Sequence, residues 1–280
     1  MRRGVAEEVP AAEVVGPVCC RSAYFAPSQF SPTVNHLRSL YRIPGFLMWT
    51  AAAGSWLAVV RVVTGADPRA MHRVYLSYIA GVQRLMGIRV RWEGTPPEGP
   101  SLLMGNHRSY VDAVLMPARH PIAFVARSES KNWPIIGWGA SALRTIWVDR
   151  KDRESRKHTR VAVRERLESG MGLVVFPEGT TYRGPEIGTY RPAMFAIAAD
   201  GKFPITPIAI EYCDASIAWV GDDTFIPHAW KHFGKKWTDV TVCFGETFVG
   251  DDADENLRRT REWTAAQVAR IRVGYDANGC

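Results

Sequence analysis

Apolar residues fall first into two helical stretches and then into short runs separated by polar turns. From Ile43 to Val60 no residue is charged, and Arg42 and Arg61 bracket the segment. Its length stands at the lower limit for crossing a bilayer, for which about 20 apolar residues are needed. Gly45, Gly54 and a run of alanines dilute it further. Pro68 starts a second helix, in which Met71, Val74, Tyr75, Tyr78, Ile79, Val82, Leu85 and Met86 recur at helical spacing and form one apolar face. Residues 36–87 therefore read as a helical hairpin that dips into one leaflet or barely spans it. A soluble two-helix cap and a genuine single span are the alternatives. Arg69, Arg73 and Arg84 are available for anionic headgroups. Residues 1–35, proline-rich and without periodicity, read as a mobile tail. Residues 88–280 read as one further domain.

In that domain Ile88, Val90 and Trp92 alternate with Arg89, Arg91 and Glu93, the mark of a half-exposed strand. Buried strands are expected at 101–104, 122–126, 145–148, 173–176 and 205–210, with another at 240–244. Pro207 argues that its strand lies at an edge or carries a bulge. Helical stretches at 109–118, about 152–169 and about 191–200 alternate with these strands, and 254–273 closes the chain. The pattern is α/β: a mixed, partly parallel sheet flanked by helices.

Polar residues then gather at one place. His107, Arg127, Arg150 and Glu178 each stand just past the carboxyl end of an expected strand, the edge where open α/β sheets bind ligands. In Gly105-Asn106-His107-Arg108-Ser109-Tyr110-Val111-Asp112 a His precedes an Asp by five residues. On an ideal helix that spacing leaves the two side chains about 140° apart. They meet only if His107 lies in the turn and Asp112 reaches back to it. Asp112 would then accept from Nδ1–H and leave Nε2 as a base. With no nucleophile elbow in the chain, that base points to activation of a substrate hydroxyl. An ordinary helix start, capped by Asn106 or Ser109, is the competing account. Arg127 and Arg150 offer guanidinium forks suited to phosphate, or are solvated charges. In Phe176-Pro177-Glu178-Gly179-Thr180 the glycine permits close backbone approach, and Glu178 can accept from a hydroxyl or orient an arginine.

The formal net charge of +7 suits an anionic partner, but no nucleic-acid motif accompanies it. The run from Arg150 to Arg166 reads mainly as a solvated helix face. The cysteines at 19, 20, 213, 243 and 280 form no CxxC pair and suggest a reducing compartment. Arg2 and Arg3 are followed by acidic residues and a proline, not by the apolar core of a secretory signal. His228 and His232 sit at i, i+4, with no third ligand near them in sequence, which argues against a metal.

Asn106-His107-Arg108-Ser109-Tyr110-Val111-Asp112 resembles the NHxxxxD block of the glycerolipid acyltransferases, specifically the lysophosphatidate (1-acylglycerol-3-phosphate) acyltransferase group. Trp147-Val148-Asp149-Arg150, Phe176-Pro177-Glu178-Gly179-Thr180 and Ile205-Thr206-Pro207-Ile208 resemble its later blocks, in family order. The resemblance implies an acyltransferase domain over 88–280 and a membrane-binding helical pair before it. It implies transfer of a fatty acyl chain from acyl-CoA or acyl carrier protein to the hydroxyl of a lysophospholipid, giving phosphatidate, with no metal or redox cofactor. His107 and Asp112 would be catalytic; Arg127, Arg150, Glu178, Gly179 and Thr180 would hold the acceptor. The site would lie on the cytoplasmic face of a membrane, the bacterial inner membrane. Two departures bear on the headgroup: Arg127 stands where a Lys is frequent, and Thr181 where an Arg is usual. Glycerol-3-phosphate or lyso-ornithine lipid is the alternative acceptor; hydrolysis of a thioester and lipid binding without turnover are alternatives of another class.

Overall fold

A computed structural model describes residues 35–116, 121–132, 141, 144–149, 152–221 and 223–277. The expected tail lies outside these residues except for Asn35, and Arg150 lies outside them too.

Helix α1 (His36–Val63) begins at Asn35, whose side chain accepts the Arg38 N–H. Helix α2 (Pro68–Met86) has Asp67 as its cap and proline as its first residue; the missing proline N–H would have had no partner there. Gly87, at φ +68°, ends α2 and delivers the chain directly into β1 (Ile88–Glu93). The remaining strands are β2 (Leu102–Gly105), β3 (Ile122–Arg127), β4 (Ile146–Val148), β5 (Gly172–Val175), β6 (Ile205–Tyr212) and β7 (Thr238–Phe244). The later helices are α3 (Arg153–Glu168), α4 (Ala193–Gly201), α5 (Phe225–Gly234) and α6 (Ala253–Ala277).

The seven strands form one sheet in the order β1-β7-β6-β2-β5-β3-β4. Only β6 and β7 pair antiparallel. Strands β2 to β6 therefore all end at one edge. Alternate side chains enter opposite cores, as the two-residue period of a strand requires. Leu103 of β2 joins Ile79, Val82, Ile208 and Val242 on the α2 face. Leu102 and Met104 join Val163, Phe195 and Ile271 on the face of α3, α4 and α6.

Pro207 lies in an interior strand, and the reading as a bulge is the correct one of the two. Ile208 pairs with Phe244, and Ile205 bridges Phe248. Three steps on β6 thus face four on the returning chain. The carbonyl of Pro207 accepts the Gly245 N–H within that bulge. An interrupted ladder accommodates a residue with no N–H to donate.

The helix expected at 109–118 is instead a short 3-10 turn, Tyr110–Val114. Its bonds run over three residues, from Asp112 N–H to Ser109 and from Leu115 N–H to Asp112, because Asp112 folds back onto the turn's own amides. Cys243 is a buried free thiol.

The N-terminal helices pack on each other and on the sheet. Arg42 is buried, and its guanidinium donates to the carbonyls of Phe233 at 3.2 Å and Lys235 at 2.6 Å. Burial lowers its pKa, and the carboxyl end of α5 supplies the partial negative charge it faces. The opposite side of α1 exposes Leu37, Leu40, Met48, Trp56, Val59 and Val62. It is a helix long and apolar enough to cross a membrane.

Candidate active site

Strand β2 ends at Gly105, where a Cβ would lie 2.1 Å from the Ile208 carbonyl oxygen. The close approach lets the Asn106 side chain continue the sheet. Its Nδ2 donates to the Ile210 carbonyl at 2.7 Å, and its Oδ1 accepts the Ile210 N–H at 2.8 Å. Asn106 is therefore a fully buried graft that fixes where the chain leaves the sheet.

His107 follows. Its Nδ1 lies 2.7 Å from Oδ2 of Asp112, and its ring stacks on Phe176 with centroids 4.1 Å apart and planes 3° from parallel. Nε2 has no hydrogen-bond partner among the described residues, and the ring borders a cavity. Asp112 is fully buried. Oδ2 also accepts the N–H groups of Arg108 at 2.7 Å and Ser109 at 3.0 Å, while Oδ1 accepts the Tyr212 hydroxyl at 2.7 Å. A buried carboxylate with four donors is held in one orientation.

A second buried carboxyl holds the histidine's backbone. Glu178 Oε2 accepts the His107 N–H and Oε1 accepts the Gly188 N–H, both at 2.6 Å. Burial raises the Glu178 pKa, and the two amides oppose that rise. The carboxyl expected beside the acceptor is thus engaged with main chain. Gly179, at φ +73°, makes the turn that brings Gly179 and Thr180 to the cavity wall. Its own N–H is taken by the Phe176 carbonyl at 3.0 Å.

Arg108 is buried against β6. Its Nη2 reaches Glu211 Oε2 at 2.7 Å, and Nη1 donates to the carbonyls of Tyr182 and Glu186 at 3.1 and 3.0 Å. Arg272 closes on the other oxygen of Glu211. Burial raises the Glu211 pKa and the two arginines oppose it. Arg108 therefore ties the loop after Thr180 to the sheet.

The cavity has a volume of about 540 Å³, within the usual range for small-molecule sites of about 300–1,000 Å³. It runs from His107 between the sheet and the hairpin, past Phe46, Leu57, Tyr75, Val82 and Phe124. The hairpin and β1 also grip the turn that carries Asp112. Tyr75 Oη, Gln83 Nε2 and Trp92 Nε1 donate to the successive carbonyls of Ala113, Val114 and Leu115.

Arg127 borders the mouth of the same cavity. It is more than half exposed, with Glu129 at 3.5 Å. Thr181 donates to the Trp219 carbonyl, and Arg183 lies 3.8 Å from Asp223. The cavity mouth at Arg127 and Glu129 is thus of mixed charge. His228 Nδ1 meets the Tyr110 hydroxyl at 3.2 Å and His232 Nε2 meets Thr238 at 3.2 Å. Burial lowers the pKa of both, that of His232 to about 3.

The fold thus brings His107, Asp112, Glu178, Gly179 and Thr180 together, with Arg127 at the rim. Tyr212 and Phe176 were not expected at the site. Only their places, at or just past strand ends on the ligand-binding edge, hinted at them.

The chain matches the family model described as Acyltransferase over residues 87–211. A lyso-ornithine lipid O-acyltransferase of Brucella abortus is 32% identical over 216 residues, covering 70% of this chain and 78% of that protein. A 1-acyl-sn-glycerol-3-phosphate acyltransferase of Neisseria meningitidis is 28% identical over 254 residues, covering 87% and 95%. The crystal structure of the 1-acyl-sn-glycerophosphate acyltransferase of Thermotoga maritima shares the fold, with a TM-score of 0.57 at 19% identity, covering 82% of this chain and 98% of that one.

Proposed function

The chain belongs to the acyltransferase family, and from that premise we propose that it esterifies the hydroxyl of a lysolipid with a fatty acyl group from a thioester, acyl-CoA or acyl carrier protein. The observation that carries the reading is His107: Nδ1 is held by a buried carboxylate while the ring borders an apolar cavity. The cavity takes the acyl chain. Nε2 removes the proton of the acceptor hydroxyl as its oxygen attacks the thioester carbonyl. Asp112 holds the ring and stabilises the imidazolium. Backbone N–H groups of the turn at Thr180 serve the tetrahedral oxyanion. Collapse breaks the carbon–sulfur bond, and the imidazolium returns its proton to the departing thiolate. A thioester is already activated, so the reaction as written draws on no metal or redox group.

For the acceptor we favour lyso-ornithine lipid. Its headgroup carries an amine and a carboxylate, which suits a cavity mouth where Arg127 stands with Glu129. Thr181, in place of the usual arginine, supports the same reading, as does the Brucella relative. The competing reading is 1-acylglycerol-3-phosphate, supported by Arg127 at the cavity mouth, by Arg150 in the sequence and by the Neisseria relative. The exposed side of α1 rests in the cytoplasmic leaflet of the bacterial inner membrane.

Purified protein in vesicles is to be given labelled acyl-CoA with each lysolipid in turn, and His107→Ala run beside it. Product from lyso-ornithine lipid, absent with His107→Ala, is the expected result. Product from lysophosphatidate alone would transfer the assignment to the phosphate acceptor. Near-normal turnover by His107→Ala would overturn the mechanism.

A further inference from the structure

The Asp112 carboxylate is unevenly occupied. The ring of His107 and the N–H groups of Arg108 and Ser109 all fall on Oδ2. Among the described residues, Oδ1 has one partner, the hydroxyl of Tyr212. Tyr212 ends β6, about a hundred residues along the chain, and is itself buried. Its phenol lies in the sheet's core and its hydroxyl emerges at the carboxyl edge, behind the catalytic turn. A donor there is not needed to fill space, since a phenylalanine has nearly the same volume.

We infer that Tyr212 is a positioning residue of the acyl transfer: by donating to Oδ1 it locks the rotation of the Asp112 carboxylate and sets the pH below which His107 is protonated and idle. The inference rests on the reading of His107 as the base. Two effects follow from one bond. Without it the carboxylate is held through Oδ2 alone and can tilt, so the place of the ring is less sharply set. A donor also draws negative charge from the carboxylate, so it weakens the carboxylate's hold on an imidazolium. Other charged and titratable groups surround the pair. Arg108 faces Glu211 of β6, Arg272 reaches Glu211 from α6, Glu178 holds the His107 N–H, and Tyr110 belongs to the same 3-10 turn. None of their side chains donates to Oδ1.

The test is the pH profile of kcat/KM in vesicles, with acyl-CoA and whichever of the two lysolipids is turned over faster. In Tyr212→Phe the acidic limb is expected to move to higher pH by roughly 0.5–1 unit, with the plateau of kcat about 3–10-fold lower. Replacing Tyr212 by 3-fluorotyrosine keeps the hydroxyl and nearly the same volume but makes it a stronger donor. That protein's limb should move the opposite way, and it decides the matter if the phenylalanine variant fails to fold. Limbs that coincide with the parent's in every folded variant overturn the inference, even if kcat falls. His107→Ala separates the two levels. If it is inactive while the limbs stay together, the base stands and Tyr212 is only structural; if it is active, both fall.

Discussion

Asp112 and Arg127 stand at the same edge of the sheet, one behind the His107 ring that borders the cavity and the other on the cavity wall. Asp112 is fully buried with four donors on its carboxylate, whereas Arg127 is more than half exposed with one acid 3.5 Å away. Removing a partner from the first leaves a charge stranded out of water; removing one from the second leaves it solvated. Chemistry is therefore fixed at the centre, where geometry is overdetermined. On the proposed function, acceptor choice is left to a rim that solvent and substitution can alter cheaply.

The comparison can be broken or sharpened in order of effect. His107→Ala should lower kcat by about 10³–10⁴-fold with the thermal midpoint unchanged, measured by acyl transfer and by scanning fluorimetry on one preparation. Asp112→Asn should cost roughly 10²–10³-fold in kcat, since an amide cannot balance the imidazolium; equal loss of stability and activity would instead make it a structural residue. Arg108→Met breaks a buried pair and should lower stability by about 3–5 kcal/mol, read from denaturant unfolding of the detergent-held protein. At the rim, Arg127→Gln should raise KM for an anionic acceptor by up to about 5-fold, leave kcat unchanged, and have less effect as salt rises. A large kcat effect there would erase the distinction between centre and rim.

What was legible in the sequence follows from range. His107 and Asp112 are five residues apart, so their meeting is a local problem that spacing and turn geometry solve. The strands were legible because buried parallel strands are short apolar runs, and Pro207 correctly announced a bulge. Tyr212 was not legible, because its hydroxyl acquires meaning only when β6 aligns beside β2. Glu178 was expected to accept from a hydroxyl or to orient an arginine, since nothing in a sequence shows that backbone amides will claim both its oxygens. Arg108 received no role from the sequence and is buried. The helix expected at 109–118 was shortened by the same Asp112 contacts that build the site.

Three consecutive carbonyls, those of Ala113, Val114 and Leu115, hang from side chains of α2 and β1. The peptide that follows Asp112 is thus suspended from β1 and from α2, which packs on α1, the helix with the exposed apolar side. Thermodynamic linkage then runs in both directions: lipid that binds the folded hairpin and not the unfolded chain adds its binding free energy to the stability of the native state. A bilayer that covers that side becomes part of the scaffold of the proposed reaction, and detergents that solvate α1 and α2 differently are then expected to change the measured melting temperature and the measured turnover together.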